Sequence, residues 1–313
     1  MRREASNALR EWSTHFLDRN PPRAKSLVMT LFGDAIRPHG GALWLGSLIR
    51  LLAPFGINDR LVRTSVFRLA EDGWLSGQRE GRRSLYTLRD SAERRFTRAY
   101  KRVYSPTYLA WPGYWTLVFA TAGTLNPQTR SELRKELTWE GFSALSPTVF
   151  VHPNPDRETL QEILNAYGVR GDVFVSSMDQ APDIQCRPLS ELVNEYWPLD
   201  EISRNYHSFI EHFRELPAMM EDTPSDLTPE LAFVIRTLLI HEYRRALLHD
   251  PRLPIELLPD DWAGKTAYEL CRDIYAATSR PAGQYIMEAL REEDPNATPA
   301  ADFFYERFGG LPR

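Results

Sequence analysis

The chain has 313 residues and a formal net charge of −4, with 42% hydrophobic and 26% charged residues, a composition typical of globular proteins with two or three domains. No apolar run approaches the roughly 18 residues that span a bilayer, and the N-terminus lacks the apolar region of a signal peptide, so we expect a cytoplasmic protein without a membrane partner. The two cysteines, Cys186 and Cys271, have no disulfide-framework or zinc-site spacing.

The charge changes sign along the chain. Residues 1–105 contain 20 Lys and Arg against 10 Asp and Glu, whereas residues 106–313 contain 18 against 32. A basic segment attracts phosphate groups, and an acidic segment repels them. We therefore expect nucleic-acid binding to be confined to the first third of the chain.

Three short helices are predicted near the start of the chain. The stretches "AKSLVMTLFGDAI" and "LWLGSLIRLL" each carry an apolar stripe at helical spacing, and "APFGIN" ends the second helix with a proline and a glycine. Asn58 or Asp59 is a suitable N-cap for the third helix. Two helices, a turn with glycine and a further helix form the helix-turn-helix pattern.

The third helix has two chemically different faces. One face is apolar and consists of Val62, Val66, Leu69 and Ala70. The opposite face is basic and polar, and its guanidinium groups can bind phosphate or the guanine O6 and N7 atoms in a DNA major groove. We predict that the helix contacts DNA through Arg60, Arg63, Thr64, Ser65 and Arg68.

A two-stranded wing is predicted after this helix. The stretch "GWLSGQREGRRSLYTL" reads as strand, glycine turn and strand, with Arg79, Arg82 and Arg83 near the tip. Together with the three helices it predicts a winged helix-turn-helix domain over residues 23–105, whose wing arginines reach the DNA backbone or the minor groove. The alternative is that these arginines only solvate a surface.

The rest of the chain predicts two further domains. Strand and helix patterns alternate as βαβαβ, which favours a small ferredoxin-like α+β domain over residues 111–182 with room for one more short strand. Residues 188–313 are mainly helical, with proline-rich joints such as "DPRLPIELLPDDW". The predicted fold class is therefore α+β and multidomain.

One C-terminal helix places a cation on an apolar face. In "PELAFVIRTLLIHEYRRALLHD" the apolar spacing brings His241 and Arg245 onto the face of Leu231 and Leu238. A buried cation needs a partner, so either Arg245 pairs with a carboxylate or Arg244 or Arg245 anchors an anionic ligand.

"HEYRR" lacks the second histidine of a zinc-protease motif. His207, Glu211 and His212 lie within reach of one another on a helix, where packed or surface histidines are more common than a two-histidine metal site. No Walker loop, dinucleotide-binding or nucleophile motif is present, so we predict no metal, cofactor or catalytic site.

Several long blocks together resemble one known family. "GGALWLGSLIRLLAPFGINDRLVRTSVFRLAEDGWL", "LTWEGFSALSPTVF", "LLIHEYRRALLHDPRLPIELLPDDWAG" and "FFYERFGG" resemble the PaaX family of bacterial transcriptional repressors of phenylacetic acid degradation. The resemblance implies an N-terminal winged helix-turn-helix domain, a middle domain similar to the nuclease Cas2, and a helical C-terminal domain. It also implies a repressor that releases operator DNA when phenylacetyl-CoA binds. We expect a homodimer whose winged helices bind two half-sites of double-stranded operator DNA.

The effector site implied by this resemblance has no motif of its own. An aromatic acyl group suits an apolar cavity and phosphates suit arginines, so we predict an effector site at His241, Tyr243, Arg244, Arg245 and Trp262. A different acyl-CoA remains an alternative effector. An enzyme that acts on an acyl thioester, with His241 as base, is a second alternative.

A metal-dependent nuclease is a third alternative, which the Cas2-like domain raises. Such an enzyme needs a carboxylate near the end of the first strand of that domain to hold the metal ion. "WTLVFATAGTLNPQTRS" contains no Asp or Glu. We therefore expect no nuclease activity, and the repressor interpretation predicts that the protein is not an enzyme.

Overall fold

The computed structural model describes residues 2–105, 110–121, 123–179, 187–189, 191–248 and 250–312. The chain forms two compact units, and each combines separate stretches of sequence. Unit 1 comprises Met1–Pro106, Ser208–Arg244 and Thr266–Arg313, and unit 2 comprises Thr107–His207 and Arg245–Lys265. The C-terminal third of the chain therefore contributes to both units, whereas the three predicted domains follow one another along the sequence.

The helices occupy most of the described chain. Their bounds are α1 (Arg2–Arg19), α2 (Ala24–Leu31), α3 (Leu45–Leu52), α4 (Asp59–Glu71), α5 (Asp90–Tyr104), α6 (Pro127–Trp139), α7 (Arg157–Ala166), α8 (Glu191–Tyr196), α9 (Leu199–Phe213), α10 (Leu216–Asp222), α11 (Pro229–Leu247), α12 (Ala263–Arg291) and α13 (Asp302–Tyr305). The strands are β1 (Ala42–Trp44), β2 (Leu75–Glu80), β3 (Arg83–Leu88), β4 (Trp115–Ala120), β5 (Ser143–Ser146), β6 (Val149–His152) and β7 (Val173–Met178). Among the helices of the described residues, none is long and apolar enough to cross a membrane.

The three predicted helices pack together in unit 1. Helix α4 contacts both α2 and α3, and its apolar side chains Val62, Val66 and Leu69 are buried. Asn58 is the N-cap of α4, because its side-chain oxygen accepts a hydrogen bond from the Leu61 backbone N–H at 2.9 Å. The predicted N-cap is thereby confirmed at Asn58.

Helix α2 continues into a wider turn than the sequence predicts. The chain leaves α2 at Leu31 and forms one π-helical turn over Phe32–Ile36, followed by a 3₁₀ turn over Arg37–His39. Such π turns are rare and often lie at functional sites. This turn places Asp34, a carboxylate, in the interior of unit 1, where it is 2% exposed.

Unit 1 also contains a three-stranded antiparallel sheet with strand order β1-β3-β2, in which β1 precedes α3 and the other two strands follow α4. The β2–β3 hairpin was predicted, and Glu80 pairs with Arg83 across a two-residue turn. Gly81 has a φ of +61° there, a conformation that glycine adopts without strain. Strand β1 was not predicted, because three residues are too few to show an alternating pattern.

Unit 2 contains a second antiparallel sheet. The element order is β4-α6-β5-β6-α7-β7, and the strand order in the sheet is β5-β6-β4-β7. Helices α6 and α7 cover one core, which includes Val118, Leu133, Phe150 and Ile163. The predicted βαβαβ order is therefore one strand short. The missing strand is β5, whose sequence "SALS" lacks the apolar and β-branched residues that mark a strand.

Candidate nucleic-acid interface

The exposed side of α4 carries most of the residues that the sequence assigns to DNA. Arg60, Arg63, Thr64 and Arg68 are all exposed, while Asn58 at the N-cap fixes where the helix begins. Positions 60, 63, 64 and 68 fall on one helical stripe, because residues three and four apart share a face. The burial of Val62 and Val66 on the opposite face therefore turns the arginines toward solvent.

Ser65 was wrongly included among the predicted DNA contacts. Its side chain is 4% exposed, so it cannot reach a DNA groove. The spacing Val62, Ser65, Val66 and Leu69 is itself i, i+3, i+4 and i+7, which places Ser65 on the packing face. A small hydroxyl side chain fits where α4 packs closely on its neighbours.

Phe67 lies on the exposed stripe and was not predicted. Its side chain is 61% exposed, seven residues after Arg60 and three after Thr64. An aromatic ring held out of the core on such a stripe can contact the methyl group of thymine in a major groove. Its spacing from Arg60 and Thr64 indicated in the sequence that it lies on this stripe. An aromatic residue in a helix is, however, interpreted first as a core residue.

The arginines on this surface differ in how firmly they are held. Arg63 forms an ion pair with Asp59, with Nε 2.7 Å from Oδ1 and Nη2 3.2 Å from Oδ2. Within the described part of the chain, the side chains of Arg60, Arg68 and Arg82 have no ion-pair or hydrogen-bond partner. These three guanidinium groups can bind phosphate without breaking an internal bond first, whereas Arg63 must exchange its partner.

The wing is held to the rest of unit 1 through Arg83. Its guanidinium lies over the Trp44 ring at 4.3 Å, and Nη1 donates a hydrogen bond of 2.8 Å to the backbone oxygen of Glu293. Arg79 donates from Nε to the Gly81 backbone oxygen at 3.3 Å, and Arg82 extends into solvent at the tip. Of the three predicted wing contacts, Arg82 is therefore the least restrained.

A buried ionic cluster lies in unit 1 around Asp34, in the turn that follows α2, and the sequence did not predict it. Asp34 accepts hydrogen bonds from Tyr104 Oη at 2.7 Å and Tyr275 Oη at 2.8 Å, and it pairs with Arg236 Nη2 at 2.9 Å and Arg307 Nη1 at 3.0 Å. Burial alone would raise the pKa of Asp34, but the two guanidiniums and the hydrogen bonds outweigh it and lower the pKa. The carboxylate is therefore charged and binds two cations.

The predicted buried cation on α11 is Arg236 and not Arg245. Arg236 is 1% exposed, whereas Arg245 is exposed. The sequence indicated this buried cation by a single arginine inside the apolar run "LAFVIRTLLI", nine residues before Arg245. Its partner Asp34 is 202 residues away in sequence, a pairing that spacing along one helix cannot predict.

The residues predicted for the effector site are mostly part of the packing. His241 Nδ1 lies 2.9 Å from Thr30 Oγ1, and Arg244 Nη1 donates to the same oxygen at 2.8 Å. Tyr243 is fully buried against the Phe209 ring at 5.3 Å. His241 is 5% exposed, a position that also does not present it as a base to a substrate.

The two remaining members of that set belong to unit 2. Arg245 is exposed there, and Trp262 is 6% exposed with its ring 5.9 Å from Tyr206. Two cavities, of about 420 Å³ in unit 1 and about 1020 Å³ in unit 2, are lined by other residues. The geometry therefore gives no support to an effector site made of these five side chains.

Comparisons with known proteins cover almost the whole chain. Three family descriptions match in order: "PaaX-like protein" at residues 23–92, "PaaX protein central Cas2-like domain" at residues 109–186, and "PaaX-like protein C-terminal domain" at residues 197–288. The transcriptional repressor PaaX of Escherichia coli strain K12 is 37% identical over 297 residues, which are 95% of this chain and 93% of that protein.

A solved structure agrees in fold. The uncharacterized protein Rv0674 from Mycobacterium tuberculosis matches with a TM-score of 0.50 and 25% identity, over 82% of this chain and 96% of that one. Sequence identity and the ordered matches of all three regions lead to the same assignment. The chain belongs to the PaaX family.

Proposed function

We propose that this protein is a transcriptional repressor that binds double-stranded operator DNA through a winged helix-turn-helix formed by α2, α3, α4 and the β2–β3 hairpin. The observation that carries the proposal is the exposed basic stripe of α4 beside an arginine at the wing tip. A helix with guanidinium groups on one side fits the major groove of B-DNA, which admits an α-helix and displays a distinct pattern for each base pair.

The contacts divide into two kinds. Arg60, Arg68 and Arg82 are unrestrained cations suited to phosphate or to guanine, and they supply affinity that falls as salt rises. Thr64 and Phe67 are suited to base edges, where a hydroxyl accepts or donates and a ring contacts a thymine methyl group. The first kind positions the protein on DNA, and the second kind reads sequence.

A homodimer is the proposed active form. One α4 reaches only a few base pairs, whereas two copies related by a two-fold axis read two half-sites about 34 Å or a multiple of it apart. The operator should then be approximately palindromic.

Unit 2, with its β4-α6-β5-β6-α7-β7 order and antiparallel sheet, is proposed to be the ferredoxin-like, Cas2-like domain.

The proposed signal is phenylacetyl-CoA, which the PaaX family membership suggests for this chain. The effector binds the DNA-incompetent arrangement more tightly, and DNA must then weaken effector binding by the same factor. A related acyl-CoA is the alternative signal. The operator DNA of a bacterial repressor lies in the cytoplasm, so this is the proposed location of the protein.

The test is fluorescence anisotropy of the DNA beside this protein's own gene, titrated at fixed salt with and without phenylacetyl-CoA, with phenylacetate and acetyl-CoA as controls. We expect tight binding that the thioester weakens at a concentration at which phenylacetate and acetyl-CoA have no effect. Binding that no thioester affects would contradict the proposed signal. A variant with alanine at Arg79, Arg82 and Arg83 should bind less tightly, and unchanged affinity would remove the wing from the proposal.

A further inference from the structure

A cavity of about 420 Å³ lies in unit 1, and none of its lining residues belongs to α4. Helix α12 and the C-terminal tail provide most of its wall, which includes Arg280, Gly283, Met287, Arg291, Phe304 and Tyr305. Ligand cavities of this size combine apolar walls with a few polar groups that fix the orientation of the ligand. Apolar surface and cations are both present here.

Arg236 lines the same cavity and has an unused donor. Its Nε and Nη2 both bind Asp34 Oδ2, at 3.0 and 2.9 Å, while Nη1 is buried without a hydrogen-bond partner among the described residues. A buried donor without a partner destabilises the folded protein, so such a group suggests a partner that binds from outside the chain. A cation next to a cavity has an anion as its natural partner.

The charge around the cavity also favours an anion. Arg236 and Arg307 share the single carboxylate of Asp34, so the buried cluster has an excess of one positive charge. His39 lines the cavity, and burial together with these two guanidiniums lowers its pKa, although its bond to the Thr298 backbone oxygen raises it. The carboxylate of Glu288 is also in the wall, but it is exposed and lies 4.0 Å from Arg50 Nη2.

We propose that this cavity binds an organic anion whose carboxylate or phosphate oxygen accepts a hydrogen bond from Arg236 Nη1. The apolar part of the anion packs against Met287 and Phe304. Such a ligand satisfies the orphaned donor and neutralises the excess positive charge in one step.

The cavity has a physical connection to the DNA-binding helices. Arg236 is held by Asp34, and Asp34 lies in the π turn that directly follows α2, the helix on which α4 packs. An anion on Nη1 leaves the bonds of Asp34 to Nε and Nη2 in place, but it partly neutralises the guanidinium and so weakens the attraction of Arg236 for Asp34. This part of the inference, that the anion weakens DNA binding, rests on the proposed function.

Gly283 offers a way to close the cavity without disturbing the core. A Cβ atom added there meets no atom within 4 Å, and the residue lies in the cavity wall. A Gly283→Phe change places its ring in the cavity. Gly171 in unit 2 has equally open surroundings, so Gly171→Phe is the matched control.

The experiment is isothermal titration calorimetry of the full chain without DNA, with phenylacetate, phenyl phosphate and neutral phenylacetamide as probes. We expect at least one anionic probe to bind at least tenfold more tightly than phenylacetamide, and Gly283→Phe but not Gly171→Phe to lose at least tenfold in affinity. The better probe distinguishes a carboxylate from a phosphate ligand. Equal binding of the amide, unchanged affinity of Gly283→Phe, or no binding of any probe would overturn the site.

A second measurement tests whether an anion in the cavity weakens DNA binding, separately from whether the cavity binds the anion. The anionic probe that binds should raise the Kd for operator DNA of the wild type and leave that of Gly283→Phe unchanged. If calorimetry places the probe in the cavity and operator affinity does not change, the connection through Asp34 is wrong and the site stands. If no operator DNA binds at all, the proposed function fails, and the calorimetric result is still valid.

Discussion

Replacement of Asp34 by asparagine tests whether the buried cluster holds unit 1 together. The carboxylate is 2% exposed, and Arg236 and Arg307, each 1% exposed, depend on it for countercharge. Asparagine keeps the shape and one acceptor oxygen but leaves two buried guanidiniums without an anion. Breaking a buried pair from one side costs about 3–5 kcal/mol, a large part of a typical total stability of about 5–15 kcal/mol.

Urea-induced unfolding measures this loss directly. Asp273→Asn is the matched control, because Asp273 accepts a hydrogen bond from Arg272 Nε at 2.8 Å in an ion pair whose side chains are 44% and 57% exposed. Exposed pairs contribute about 0–1 kcal/mol. If the free energy of unfolding falls no further in Asp34→Asn than in Asp273→Asn, the cluster does not stabilise the unit as argued.

The same variant has a defined pH dependence. The pKa of Asp34 in the folded protein is lowered, because Arg236 and Arg307 outweigh the effect of burial. A group with a lowered folded pKa contributes its stability fully above its unfolded pKa of about 3.9 and loses it as the pH falls through the folded value. The difference between wild type and Asp34→Asn should therefore be constant from about pH 7 to 5 and shrink in more acidic solution. A difference that persists unchanged in strong acid would refute the ionic explanation.

Four further predictions concern single positions. Phe67→Ala should weaken operator binding several-fold in anisotropy titrations and change the free energy of unfolding by less than about 0.5 kcal/mol, because the ring is already exposed. Asn58→Ala should lower the free energy of unfolding by about 1 kcal/mol, and Asn58→Ser, which keeps a capping oxygen, should lose much less. Gly283→Ala should raise the free energy of unfolding by about 0.5–1 kcal/mol, because alanine favours the helix and meets no neighbour. Arg82→Ala should reduce the slope of log affinity against log salt by about 0.9 for each phosphate that the protein no longer binds, and an unchanged slope would mean that this arginine does not touch the backbone.

Local patterns predicted the parts of the fold that depend on neighbouring residues. Helix α4, its cap at Asn58 and the hairpin with Gly81 at its turn all follow from spacing and turn chemistry over fewer than about twenty residues. The same spacing, followed strictly, also places Ser65 inside and Phe67 outside. The sequence interpretation of these two side chains followed residue type and not position. Serine is usually found at a polar surface and phenylalanine in the core.

Long-range partners could not be predicted in this way. Asp34, Arg236 and Arg307 come from three distant stretches of the chain, and only the folded unit brings them into one cluster. The cavity beside Arg236 depends likewise on α12 and the C-terminal tail meeting around it. A lone arginine in an apolar helix signals that a partner exists, but the identity of the partner is a property of tertiary structure.

In the proposed function, the unrestrained arginines of α4 and the wing hold the DNA backbone. The most direct test is the salt dependence of operator binding for a variant with alanine at Arg60, Arg68 and Arg82, against a control variant with alanine at the exposed Arg10, Arg134 and Arg204. The first variant should bind more weakly, with a slope flatter by about 0.9 for each phosphate left unbound, and the control should match the wild type. If the two variants behave alike, DNA binds elsewhere on this protein.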